Sequence, residues 1–166
     1  MTAAVLVFAF AFSVVHIGIG KFGQWYTDSD LVEQDTNALK LKEDLPEGSY
    51  RVDTYKIHDN IGMWLDKSCL QYFGSTAAPS ILSFYPALGV KRDVRSEPEL
   101  SNYALRGLLS VEYLITTPEK QGAFEAEADD GWSYAFAKDG YAVYRNENYV
   151  PMGFTYDYYL TESEYE

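Results

Sequence analysis

Hydrophobic and polar positions divide this chain into two unequal parts. Residues 2–20 read TAAVLVFAFAFSVVHIGIG without a charged side chain, and from Lys21 onward charged, polar and apolar positions interleave at short range. A hydrocarbon core of roughly 30 Å is crossed by about 20 predominantly apolar helical residues, so the run predicts a transmembrane helix over residues 1–20. Two other readings compete with it. A secretory signal peptide carries a basic leader, an apolar run of about 7–15 residues and a small-residue cleavage site. Here Met1 leads straight into apolar sequence, the run is longer, and no A-x-A triplet precedes the polar part. A buried core helix is the third reading, because Ser13 and His16 interrupt the apolar surface. Length favours the span, and the missing basic flank is what a helix cut from a longer parent would show.

Beyond the span the period of the pattern changes several times. Asp28-Ser29 precedes Leu31, Ala38, Leu41 and Leu45 on one helical face, and Pro46-Glu47-Gly48 closes it, which predicts an amphipathic helix over residues 29–44 inside a connector of residues 21–48. Residues 49–55 alternate with period two and read as a half-buried strand. Asp59-Asn60-Ile61-Gly62 reads as a turn, and residues 63–73 fit a short helix or a strand equally. Ser75 and Thr76 offer cap oxygens to a helix entered through Pro79, with Ile81, Leu82, Phe84, Tyr85 and Leu88 as its stripe and Gly89 as its end. A charged loop over residues 91–101 leads to a short helix carrying Leu105, Leu108 and Leu109, then to a strand over residues 111–117 closed by Pro118. Residues 120–130 read as a polar connection.

The last third is the most regular. Trp132-Ser133-Tyr134-Ala135-Phe136 and Tyr141-Ala142-Val143-Tyr144 flank an Asp139-Gly140 pair, a hairpin signal with a mechanism, since both central residues of the favoured turn need positive φ. Residues 145–148 read as another turn, and the aromatic segment 154–160 as an edge strand. Helices and strands mix without βαβ alternation, so residues 49–160 are expected to form an α+β domain with a mixed, mostly antiparallel sheet and a few short helices, followed by an acidic tail over residues 161–166.

Composition sharpens this picture. The part after the span, about 146 residues, is one ordinary domain. It holds all 25 acidic and 13 basic residues, for a net charge of −12. Such a surface repels phosphate backbones, which sets nucleic acid aside as a partner. Nine Phe, three Trp and fifteen Tyr exclude a disordered chain.

Candidate chemistry is sparse. The single Cys69 forms no internal disulfide and reads as a small buried hydrophobe, because a reactive thiolate needs a base and only His16 and His58 exist. Asp28-Ser29-Asp30 and Asp129-Asp130-Gly131 are too short for a calcium loop, and neither a zinc spacing nor a phosphate-cradling glycine loop occurs. No catalytic residue, metal ligand or cofactor is therefore assigned. Carboxylate pairs are expected by chance among so many acids. The binding candidates are Trp64, Tyr72 and Phe73, whose rings could stack on a sugar or glycerol-phosphate unit, with the hydroxyls of Ser75 and Thr76 beside them. The competing reading puts these rings in the core.

An ordered set of short motifs adds a resemblance. Tyr50-Arg51-Val52-Asp53, Asp59-Asn60, Gln71-Tyr72-Phe73-Gly74-Ser75-Thr76, Leu88-Gly89, Leu108-Leu109-Ser110-Val111-Glu112-Tyr113-Leu114-Ile115, and Val143-Tyr144-Arg145-Asn146 with Val150-Pro151-Met152-Gly153-Phe154 resemble the YfhO family of bacterial membrane proteins over roughly residues 50–157. Family members typically read LLGVKYLI and YEN…LPLGF in the last two places; this chain departs with Ser110 for Gly, Glu112 for Lys and Arg145 for Glu. The resemblance implies a polytopic protein of the bacterial cell membrane, similar to GT-C glycosyltransferases that take sugar from a lipid-phosphate carrier and decorate lipoteichoic acid. It implies that this chain is a non-catalytic soluble domain on the extracytoplasmic side. Its partners would be the lipid bilayer, the parent's remaining transmembrane helices and a lipid-linked sugar or teichoic acid. A membrane-anchored acidic interaction module and a secreted protein are the other function classes.

Overall fold

The structure, a computed structural model, describes residues 2–22 and 29–165. The chain divides into two compact units, Met1–Gln34 and Asp35–Glu166. In the first, α1 (Thr2–Phe22) is an unbroken apolar helix, and its Ala3–Gly20 window has a mean hydropathy of 2.2 with no residue buried. That exposure argues against the core-helix reading. The Ser13 hydroxyl donates to the Ala9 carbonyl at 2.8 Å, so the one hydroxyl in mid-helix is satisfied within its own turn. Phe8, Phe12 and His16, four residues apart, stack along one face. Helix α2 (Ser29–Leu41) follows, three residues shorter than the pattern predicts, and a turn carries the chain on to Leu45. Asp28 lies outside the described residues.

The second unit is built on a four-stranded sheet. Its strands are β1 (Arg51–Tyr55), β4 (Val111–Thr116), β5 (Trp132–Lys138) and β6 (Tyr141–Asn146), in the spatial order β1-β4-β6-β5. Between β1 and β4 come α3 (Gly62–Leu65), β2 (Tyr72–Phe73), α4 (Pro79–Ala87), β3 (Arg95–Ser96) and α5 (Tyr103–Leu108). Helix α6 (Pro118–Glu127) precedes β5, and a one-turn α7 (Glu162–Tyr165) lies near the end. Strands β1 and β4 are parallel; β4 with β6 and β5 with β6 are antiparallel. The small β2–β3 sheet is antiparallel too. The α+β class with a mostly antiparallel sheet is therefore correct.

Both faces of the main sheet are covered. Alternation along β4 and β6 sends Tyr113, Ile115, Tyr141 and Val143 to one side, where Ala38, Leu41 and Leu45 pack, and Leu114, Ala142 and Tyr144 to the other, against Phe124 of α6. This double cover makes Val52, Asp53, Thr54 and Tyr55 all buried, so the expectation of a half-buried β1 fails. The outer edge of β1 is partly occupied as well: Val52 N–H donates to Ser68 O at 2.9 Å, and Leu70 N–H to Val52 O at 3.2 Å, around a bridge to Cys69. At the other edge β5 stands open, with a register slip between Tyr134 and Phe136.

Several local expectations need correction. Residues 120–130 are not a plain polar connection, since α6 occupies most of them with Pro118 in its first turn and the buried Phe124 as its anchor. Ser75 and Thr76 do not cap α4; its N-cap is Ala78, in extended backbone, without a side-chain bond. Arg145 and Asn146 continue β6, and the turn falls on residues 147–148. Residues 154–160 form no strand and are exposed. The Asp139-Gly140 turn is as expected, with φ of 48° and 77° between β5 and β6.

Candidate functional site

Two adjacent turn residues set up the surface that carries the candidate rings. Asn60, itself at φ 66°, donates through its amide to Phe73 O at 2.9 Å and accepts from Phe73 N–H at 2.8 Å. Asp59 accepts from Arg95 Nε at 3.0 Å and Nη2 at 2.6 Å. Phe73 and Arg95 are register partners across β2–β3. Consecutive side chains thus grip both strands of the small sheet at one rung, one through backbone polar groups and the other through a two-point ion pair.

The rings held there are outside the core. Tyr72 is 42 % exposed, Phe73 46 % and Trp64 42 %. Trp64 sits on α3, whose neighbours Ile61 and Leu65 are buried and anchor the turn. The Tyr72 ring folds back over Gly74, where an added Cβ would come within 2.3 Å of its hydroxyl. The Arg92 guanidinium lies 5.9 Å from the ring centroid. Tyr72 lines a shallow depression of about 300 Å³ with Asn60, Gly62, Met63, Lys67, Ser68 and Cys69. Trp64, Phe73, Ser75 and Thr76 do not line it; Ser75 and Thr76 are exposed on the loop between β2 and α4. Burial pushes the Cys69 thiol far above its ordinary range, and the nearby Asp53 charge adds to this. Cys69 packs against the larger apolar cluster of the domain as a partly buried side chain.

A larger cleft of about 490 Å³ lies among Thr54, Tyr55, Lys56, residues 97–101, Arg106 and Glu127. Arg106 in its lining belongs to a buried ion pair that no local pattern in the sequence announces. Arg106 Nε donates to Asp53 Oδ2 at 2.8 Å, with both side chains almost fully enclosed. Burial pushes the Asp53 carboxyl upward, and Arg106 and the Gln71 amide pull it back. The remaining guanidinium donors go to backbone carbonyls, Nη1 to Glu99 at 2.7 Å and Nη2 to Pro98 at 2.8 Å. Arg106 is consumed in shaping the 98–102 loop and is not offered to a ligand. The partners lie 53 positions apart, so only the tertiary fold reveals them. Among the described residues no group of His, Cys, Asp and Glu is placed to hold a metal ion.

The whole chain, residues 1–166, matches the family model described as bacterial membrane protein YfhO. The chain belongs to the YfhO family. Comparison with curated proteins and with solved structures finds no match. In this YfhO chain the ordered motifs acquire physical roles. Of the Tyr-Arg-Val-Asp tetrad, Tyr50 packs edge-on against Tyr113, Arg51 Nη1 donates to Leu109 O at 2.7 Å, Val52 is core and Asp53 holds Arg106. Gln71 donates from Nε2 to Ile57 O and accepts from the Thr54 hydroxyl. Asn146, fully buried, donates to Val111 O at 3.0 Å and accepts from Tyr103 and from Asn148 N–H. Much of the YfhO signature in this chain is therefore framework, while Tyr72 with its neighbours, Leu88, and Met152 to Phe154 are turned outward.

Proposed function

We propose that this YfhO chain is the non-catalytic extracytoplasmic domain, with a membrane helix, of a polytopic protein resembling GT-C glycosyltransferases that move sugar from a lipid-phosphate carrier to an envelope polymer such as lipoteichoic acid. Family membership and the apolar α1 support the membrane context. Within that reading the domain is a binding element, and its surface is the Tyr72 segment. The observation that carries this is the combination of exposure and fixation. Tyr72 and Phe73 are nearly half exposed, yet Asn60 locks the Phe73 backbone at both polar groups and Tyr72 is the strand residue beside it, paired with Ser96. An exposed ring on a fixed support loses little entropy when a sugar face stacks on it. Lys67 and Arg92 beside Tyr72 supply donors for hydroxyl or phosphate oxygens. Trp64, Ser75 and Thr76 flank the surface in sequence and are exposed around it.

The test uses the intact membrane protein. Trp64→Ala and Tyr72→Ala are expected to lower sugar transfer to the polymer several-fold while leaving the unfolding temperature unchanged; unchanged transfer by well-folded variants sinks the binding role. A second reading, a membrane-anchored acidic interaction module without enzymatic parentage, draws on the net charge of −12. Cells lacking the protein would then keep normally glycosylated polymer.

A further inference from the structure

From residue 68 to residue 90 the chain carries no charged side chain, an interruption inside a domain of net charge −12. Helix α4 lies wholly within it, and of its nine residues only Tyr85 is buried. Ile81, Leu82 and Phe84, with Leu88 just beyond, are exposed apolar side chains. Phe84 continues into a groove of about 410 Å³ shared with Leu108, Met152, Phe154 and Tyr156. The strap bearing the last three is pinned at its base by Val150 N–H donating to Gly107 O at 3.0 Å, and is otherwise exposed. Helix and strap together make one apolar, aromatic-bearing face, larger than the scattered hydrophobics of an ordinary surface.

We infer that this face docks into the interfacial zone of a phospholipid bilayer, with α4 and the 152–156 strap reaching the boundary between headgroups and acyl chains. Three observations select lipid as the occupant. The same chain carries the apolar α1, and fewer than about twenty residues separate its end at Phe22 from Ala38, the first buried residue of the domain, so a bilayer is present at high effective concentration. The face mixes aliphatic side chains with Phe and Tyr and with Ser, Thr and Pro, the composition of interfacial segments, and the one charged side chain lining its groove, Arg51, donates to the Leu109 carbonyl at 2.7 Å. A second copy of the domain is disfavoured by the mutual repulsion of two surfaces of charge −12. The acidity elsewhere directs the contact to neutral lipid. The inference rests on membership of a membrane-protein family and not on glycosyl transfer, so either reading can fail alone.

The test is nitroxide depth measurement on the full chain in phosphatidylcholine vesicles. In a Cys69→Ser background, single labels are placed at Leu82→Cys, Phe154→Cys and, as a solvent reference, Tyr134→Cys on the open strand β5. Labels at 82 and 154 are expected to lose several-fold in collision with a water-soluble nickel chelate relative to the label at 134, and to gain in collision with dissolved oxygen. Adding Phe84→Glu to the labelled chain is expected to restore nickel access. Equal nickel access at 82, 154 and 134 overturns the inference, because the face is then in water. Immobilised spectra at 82 and 154 without enhanced oxygen access overturn it too, because protein then covers the face.

Discussion

Arg145 Nε lies 3.4 Å from Glu112 Oε1 across the β4–β6 ladder, where Arg145 is the register partner of Tyr113. These are the two positions at which the chain carries Glu for the Lys, and Arg for the Glu, typical of the YfhO pattern. The two positions face each other across the strands, so the charges that stand there in this chain attract. Glu112→Lys or Arg145→Glu alone is expected to destabilise, and the double reversal to restore stability. Arg145 is about half exposed, so the coupling energy in a double-mutant cycle should be only about 0.2–1 kcal/mol. Additive single effects in denaturant melts would disprove the pairing.

The third departure has a backbone explanation. Ser110 replaces Gly at φ 60°, in the left-handed region where a Cβ is strained. Its N–H donates to Gly107 O and its carbonyl accepts from Arg51, so the conformation is fixed from both sides. Ser110→Gly should stabilise the domain by about 0.5–1 kcal/mol, read as a higher denaturant midpoint. A loss of stability would mean that the buried hydroxyl outweighs the strain.

The Asp53–Arg106 pair sets a harder test. Removing one partner leaves the other buried and uncompensated, a loss of about 3–5 kcal/mol for Arg106→Met, whereas replacing both, as in Asp53→Leu with Arg106→Met, should recover much of it. Equal damage from the single and double variants would show that the carbonyl contacts of Arg106 dominate over the ion pair.

Alkaline stability follows from four tyrosines. Burial pushes the Tyr144 hydroxyl up to about 12, with Glu125, its hydrogen-bond acceptor, adding to the shift. Burial also raises Tyr50, Tyr141 and Tyr113. A phenol whose folded pKa exceeds its unfolded value near 10 favours the fold fully below that value and loses its contribution as pH rises through the folded one. Stability should therefore decline from about pH 10 upward, and ultraviolet titration should find phenols that ionise only as the domain unfolds. Ionisation of every tyrosine near 10 with the fold intact would contradict this.

How legible the molecule was in its sequence depended on range. The Asp139-Gly140 turn, the apolar run of α1 and the Pro79 start of α4 are local signals, and each appears where expected. Helix α6 was illegible because Phe124 alone supplies its buried anchor, leaving no stripe to detect in a charged segment. Parallel pairing of β1 with β4 joins residues about sixty positions apart and has no local mark. At the candidate site the aromatic cluster could be named from sequence, but whether its rings were core or surface could not. That depends on Asn60 and Asp59, which read only as a turn until their partners Phe73 and Arg95 are in place.

The open edge of β5 takes on a different meaning in a protein confined to a plane. Chains diffusing in two dimensions meet one another sideways at far higher frequency than in solution, and an unpaired strand at the rim would invite them to zip together. The slip between Tyr134 and Phe136 breaks the regular spacing of donors and acceptors along that rim. An irregular rim of this kind disfavours edge-to-edge pairing between neighbouring copies.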